Sequence, residues 1–246
     1  MGVDPPSPQM TFLLVMLHAG TMGAVLVYFW PRWESRLLDA DAAARRRTVL
    51  ALLWATAATG AVGLLLQRVI ERVLLKGQPS HEIESLFSNL RLMAAGLFAA
   101  GCLILAAAAR SLDKSRDENL AAKSALWIGA VQGLCLPFRG FSRSGATIST
   151  ALLNRVPRGL SEDFSFALAV ILTPPVILKE AHRLSRASSG SYPFAQGVVG
   201  MAFSFIAGYL ALKLLSRWLE GGKWRYFGWY CIAASAGVLA ARRFLP

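Results

Sequence analysis

Charge is scarce in this chain, and acidic charge scarcer still. Only 16% of its 246 residues are charged, and Asp and Glu number 14 against 26 Lys and Arg. Soluble domains carry about 25% charged residues, so the low figure, with 55% apolar residues and a mean hydropathy of +0.47, excludes most soluble architectures. Cysteine is nearly absent: Cys102, Cys135 and Cys231 stand far apart in apolar segments without CxxC or Cys/His spacing, so neither a disulfide framework nor a zinc site is expected. The net charge of +12 would suit nucleic acid in a soluble protein. Here the basic residues fall in short gaps between apolar blocks, where membrane orientation accounts for them and no nucleic-acid partner is expected.

What is present is a series of apolar blocks long enough to cross a bilayer. Thr11–Trp30 opens the series, with His18 as its one ionisable group and Tyr28, Phe29 and Trp30 placed like an interfacial aromatic belt. Thr48–Leu66 and Leu90–Ala109 follow, then Phe164–Leu178 interrupted at Pro174-Pro175, Phe194–Leu215 and Phe227–Leu245. Lipid offers no hydrogen-bond partners, so each block is expected to be a helix. Gln67–Asn89 reads as a helix extension and an interfacial loop. In that loop His81, Glu82 and Glu84 look superficially like metal ligands, yet their spacing fits a solvated connection better. Ala125–Phe138 is too short to span and is broken by Pro137, Arg139 and Gly140 before the apolar pattern resumes at Gly145–Leu153. A broken, re-entrant hairpin at about 125–153 is expected there, because irregular backbone at membrane depth is tolerated where it is buried in protein or lines a wet cavity.

The fold expected is therefore all-α and integral to the membrane: one polytopic domain over 1–246 with about six transmembrane helices plus the broken hairpin. Gaps 31–47, 110–124, 154–163 and 216–226 hold more than half of the Lys and Arg, which assigns them to the cytoplasmic face. Close-set small residues (Gly20, Gly23, Ala24; Gly60, Gly63; Gly96, Gly101) are expected at tight helix contacts. Glu162-Asp163 is expected to cap a helix that starts at Phe164.

The chemistry gathers at Gly140-Phe141-Ser142-Arg143-Ser144-Gly145-Ala146-Thr147. An arginine at membrane depth costs several kcal/mol, about 2.5–3.5 on the lenient scale, unless it is paired or wetted, so its default reading is functional. Arg143 presents a planar fork suited to phosphate oxygens, Ser142, Ser144 and Thr147 add hydroxyls, and Arg139 adds a second cation. Gly140 and Gly145 admit close backbone approach, and a helix beginning after Ser142 aims its free amides at the same place. The bland alternative is that Ser142 merely caps a half-helix while the arginines reach for an interface.

This stretch resembles the undecaprenyl pyrophosphate phosphatases, membrane enzymes that recycle the lipid carrier of bacterial cell-wall synthesis. The family's Pro-Gly-x-Ser-Arg-Ser-x-x-Thr motif is matched by Arg139–Thr147, with Arg139 in place of its proline, and the likeness extends to Gln132, to Asp163–Val170 and to Gly20-Thr21 in the first block. The resemblance implies an inverted-repeat bundle in the inner (plasma) membrane and a polyprenyl diphosphate substrate cleaved to monophosphate and inorganic phosphate. It implies a divalent cation, magnesium or calcium, and leaves room for a homodimer. Arg143 and Ser142 are the implied catalytic residues. Ser144 and Thr147 are implied to line the substrate pocket, and Gly140, Gly145 and Gln132 are expected beside them. Arg139 joins the substrate-binding set as a second cation and His18 as a histidine at membrane depth, read equally as an outlying polar contact or as a buried hydrogen-bonded residue. The family's glutamate pair, Pro-Val-Ser-Ser segment and histidine have no match ahead of the first block, so no metal ligands are assigned. Met1–Gln9 reads like an interior connection, as if the natural start lay upstream. A binder or carrier of lipid phosphates that does not cleave them, or an inactive family member, is the alternative. An acid-phosphatase-type site is set aside because no histidine follows Ser142-Arg143 until His182.

Overall fold

A computed structural model describes residues 8–74, 89–110, 120–138, 140–186 and 194–241. All the regular structure among them is helical: α1 (Pro8–Leu37), α2 (Ala42–Val69) continued by a π-helical turn (Ile70–Leu74), α3 (Leu90–Arg110), α4 (Ala122–Cys135), α5 (Arg143–Leu153), α6 (Arg158–Arg186), α7 (Phe194–Glu220) and α8 (Arg225–Ala241). Among the described residues, four stretches are long and apolar enough to cross a bilayer: Met10–Leu37, Ala42–Arg72, Leu90–Arg110 and Phe194–Glu220. The other two expected spans, Phe164–Leu178 and Phe227–Leu245, are not among these four. In α6 the apolar stretch is confined to Phe164–Leu178 and carries Pro174 and Pro175, and the described part of α8 has 17 residues, about 26 Å of helix against a hydrocarbon core near 30 Å.

Several boundaries depart from expectation. α1 does not stop at Trp30 but runs through Pro31 to Leu37. Within its aromatic cluster Trp30 is exposed while Phe29 is fully buried, its ring stacked on Phe166 at 4.8 Å and on Trp33 at 5.6 Å. α6 likewise continues through Pro174 and Pro175. Each proline removes one backbone bond, but the rest of the ladder survives in a 29-residue helix. Glu162 and Asp163 do not cap α6, because the helix starts at Arg158, directly after the turn at Pro157, and Ser161 N–H already donates to the Pro157 carbonyl at 2.8 Å. Both carboxylates are buried inside the second turn. The helical extension beyond Gln67 is present to Leu74, whereas His81, Glu82 and Glu84 lie outside the described residues.

The chain divides into two compact units. The first comprises Met1–Asp39 and Phe166–Arg217 and is built on α1 against α7. Ser204 Oγ donates to the Leu17 carbonyl at 2.8 Å, and a Cβ on Gly20 would strike the Met201 carbonyl oxygen. The second comprises Ala40–Ser165 and Trp218–Pro246. Its helices pair as α2 with α4 and α3 with α8, and α5 packs on both α3 and α4. Small residues set these approaches, as expected in lipid. Gly101 and Gly228 face each other across α3 and α8, where a Cβ on Gly101 would lie 2.9 Å from the Gly228 carbonyl oxygen and one on Gly228 3.1 Å from that of Gly101, and Ser235 Oγ donates to the Ala94 carbonyl at 2.7 Å. Gly60, expected at such a contact, instead faces open space.

Candidate active site

The hairpin of the second unit begins with α4 and stops where Pro137 cannot continue the ladder. At about 21 Å for α4 and 17 Å for α5, neither arm can cross a bilayer alone, as the broken pattern predicts. The loop between them turns at Gly140, whose φ of +90° lies in the left-handed region. Any Cβ there would also strike the Met93 carbonyl oxygen on α3. Glycine is therefore required twice at this one position, for its backbone conformation and for close approach. Gly140 shapes the loop by seating it on α3. Arg139 lies outside the described residues.

α5 starts immediately after. Ser142 is its N-cap: its Oγ accepts the Gly145 N–H at 3.2 Å, and its carbonyl accepts the Ala146 N–H at 2.8 Å. Of the helix's orphan donors, the amides of Arg143 and Ser144 have no partner among the described residues. Ser142, Arg143 and Ser144 are all partly exposed, in contrast to Gly145–Leu152, which are buried. The Arg143 guanidinium makes no hydrogen bond or ion pair among the described residues. The first residues of α5 and its N-cap thus carry a permanent cation, two amides without a partner among the described residues and two hydroxyls at the positive end of a helix, the chemistry of an anion site.

The other expected residues are placed differently. Thr147 is fully buried and its Oγ1 is committed to the Arg143 carbonyl at 2.8 Å and to Ser165 Oγ on α6 at 2.5 Å. It braces the first turn of α5 and ties it to the next helix. Gly145 is packed between Ser142 and Ile104, where a Cβ would sit 2.8 Å from Ser142 Oγ and 3.0 Å from Ile104 Cδ1. Gln132 is fully buried in α4 and turned to α2, its Nε2 donating to Thr59 Oγ1 at 3.5 Å. Gln132 Oε1 has no hydrogen-bond partner among the described residues. His18 belongs to the first unit, where it is exposed and its Nδ1 pairs with the Leu14 carbonyl at 2.8 Å, so the reading of it as a buried residue is not the one realised.

Three supports were not singled out in the sequence. Ser165 lay inside the matched stretch without a role. Trp224, in the turn before α8, is buried and its Nε1 donates to Ser149 Oγ on α5 at 3.0 Å. At the far end of α5 the chain closes with Val156 N–H on the Ala151 carbonyl and Arg155 N–H on the Leu152 carbonyl, Arg155 taking φ +63°, which is a Schellman stop. The cradle at the N-terminus of α5 is therefore held from three sides by α3, α6 and the turn before α8.

Comparison with known proteins gives the chain's family. The model of the family described as "Bacitracin resistance protein BacA" matches residues 1–237. The chain belongs to the BacA family. Its similarity to "Undecaprenyl-diphosphatase 2" of Acinetobacter baylyi is 53% identity, covering 97% of this chain and 86% of that protein. "Undecaprenyl-diphosphatase 1" of Burkholderia pseudomallei is 33% identical over 95% of this chain and 82% of its own length, and "Undecaprenyl-diphosphatase 2" of Burkholderia orbicola is 32% identical over 97% and 84%. For a BacA-family chain the resemblance implies a divalent cation. Among the described residues no three His, Cys, Asp or Glu side chains converge to hold one, so they do not fit a metal centre and no step below runs through an ion.

Proposed function

We propose that this BacA-family protein is a multi-pass membrane hydrolase that cleaves undecaprenyl diphosphate to undecaprenyl phosphate and inorganic phosphate. The product is the carrier form used again in cell-wall synthesis, and keeping it available underlies bacitracin resistance. The observation that carries the reading is the 53% identity to an undecaprenyl-diphosphatase over 97% of the chain. The plasma membrane of a bacterial cell, where such a lipid carrier works, is part of the same proposal.

Within it, Arg143 receives the diphosphate. Its guanidinium neutralises oxygens that would otherwise enter a poorly solvated place as an uncompensated polyanion. The amides of Arg143 and Ser144 and the Ser144 hydroxyl complete the cradle. Ser142 Oγ is engaged as acceptor for Gly145 N–H, so the role that suits it is donation of its own O–H to a phosphate oxygen rather than attack on phosphorus. Hydrolysis breaks the bond between the bridging oxygen and the terminal phosphorus, a water oxygen joins that phosphorus, and the lipid monophosphate leaves with the bridging oxygen. Thr147 acts at one remove, holding the Arg143 backbone in place. A dependence on magnesium or calcium belongs to the proposal without assigned protein ligands.

The test is release of inorganic phosphate from undecaprenyl diphosphate by the purified chain in detergent, with magnesium, with calcium and with chelator, beside Arg143→Ala. Expected is cation-dependent release that falls by at least about 100-fold in the variant, the usual scale for removing a transition-state donor. Undiminished release in Arg143→Ala would overturn the site. Lipid bound without release by the unaltered chain would favour a carrier of lipid phosphates instead.

A further inference from the structure

The second unit carries another basic feature, at the opposite sequence end of α2 from its π-helical turn. Arg45, Arg46 and Arg47 follow directly on the first turn and all three are exposed. The helix is started by Asp41, whose Oδ1 accepts the Ala44 N–H at 2.6 Å, so the carboxylate that precedes the arginines is engaged on the backbone. Cations at a helix N-terminus oppose the macrodipole and cost helix stability. Three in succession make sense when something anionic sits over them.

The spacing shows what lies beneath. A helix turns 100° per residue, so Arg46 stands above Val49, Leu50, Leu53 and Leu64, and Arg47 above Leu50, Trp54 and Leu65. These apolar residues are exposed: Leu53 by 60%, Trp54 by 51% and Leu65 by 63%. The opposite face, Ala51, Ala55 and Thr59, is buried against α4. The two guanidinium forks therefore cap the outward column of α2 and not its packed face. A column of exposed leucines with a tryptophan, ending in two arginines, has the order of chemistry of a phospholipid, acyl chain then phosphate.

We propose that Arg46 and Arg47 with the exposed column below them form a binding site for an anionic phospholipid, separate from the cradle at Arg143. The occupant is a lipid with net negative headgroup charge, because juxtamembrane arginines attract such lipids by their summed charge and a guanidinium fork matches phosphate oxygens in pairs. Zwitterionic lipid fits the column equally and the arginines less.

The test is native mass spectrometry of the full chain from mixed micelles holding equal phosphatidylglycerol and phosphatidylcholine, counting retained lipids. The unaltered chain is expected to retain phosphatidylglycerol in preference. In R46Q/R47Q the preference should fall by about fivefold per arginine removed, while R46K/R47K, which keeps the charge, retains most of it. R68Q/R72Q removes the same charge from the other end of the helix and should leave the preference unchanged. Unaltered preference in R46Q/R47Q, or an equal loss in R68Q/R72Q, overturns the site. So does a change in oligomeric state between the unaltered chain and R46Q/R47Q with lipid retention intact, which would give the face to a second copy of the chain.

Discussion

Replacing Gly129 by alanine tests whether the seam between α2 and α4 sets the position of the hairpin. A Cβ on Gly129 would lie 2.6 Å from Ala55 Cα and 2.7 Å from its carbonyl carbon, with the carbonyl oxygen nearer still. Carbon atoms in contact prefer about 3.5–4.0 Å, and the obstacle is backbone that no rotamer change can clear, so α4 must retreat by roughly 1 Å. That retreat carries the Thr59 Oγ1 to Gly129 carbonyl bond, now 2.9 Å, beyond hydrogen-bond reach. Overpacking costs about 1–3 kcal/mol and the lost bond about 0.5–1.5 kcal/mol. The helix regains about 0.5–1 kcal/mol because alanine replaces glycine, leaving a loss of about 2 kcal/mol. Gly60→Ala on α2 is the matched control: nothing stands within 4 Å of its Cβ, so only the gain of about 0.5–1 kcal/mol applies. Reversible unfolding in mixed micelles of rising SDS fraction, followed by tryptophan fluorescence, measures both. Gly129→Ala should unfold earlier than the unaltered chain and Gly60→Ala no earlier. Coincident midpoints for the two variants would refute the claim that backbone contact positions α4.

Gly140→Ala combines a left-handed φ with a clash on the Met93 carbonyl and should lower both SDS resistance and phosphate release; activity at the unaltered level would show that the loop is not seated on α3. Trp224→Phe leaves Ser149 Oγ buried without its donor, at a cost of about 1–3 kcal/mol. Adding Ser149→Ala should recover part of that loss, and additive losses in the double variant would deny the coupling. Thr147→Val removes the hydroxyl shared with Ser165 and the Arg143 carbonyl. Its predicted signature is a fall in kcat with KM for the diphosphate little changed, whereas a raised KM alone would make Thr147 a direct ligand.

The chain's membrane class and its broken hairpin were readable without coordinates, because both rest on composition and on short-range pattern. Low charge, apolar blocks and Pro137 with Gly140 interrupting one of them suffice. Helix ends were less readable. Pro31 and the Pro174-Pro175 pair are strong local stop signals, yet the helices run through them, since each proline removes only one bond and the ladder on either side holds. Glu162 and Asp163 have the composition of a cap but sit past the start of α6, which the preceding Schellman stop and Pro157 place earlier.

Ser142, Arg143 and Ser144 were legible as a group because they are adjacent in sequence and start one helix. No tertiary contact is needed to bring them together. What Thr147, Gln132 and Gly145 do could not be read the same way, since a hydroxyl, an amide or a glycine serves a ligand or a packing contact equally well until its neighbours are known. The structure turns Thr147 to Ser165, Gln132 to Thr59 and Gly145 to Ser142 and Ile104. Those partners lie up to 73 residues away in sequence. Sequence by itself determined the solvent, the helical class and the charged end of α5, all consequences of local chemistry; only the tertiary structure decided which polar groups are spent on holding that end in place, because buried hydrogen bonds are assigned by the packing of distant segments.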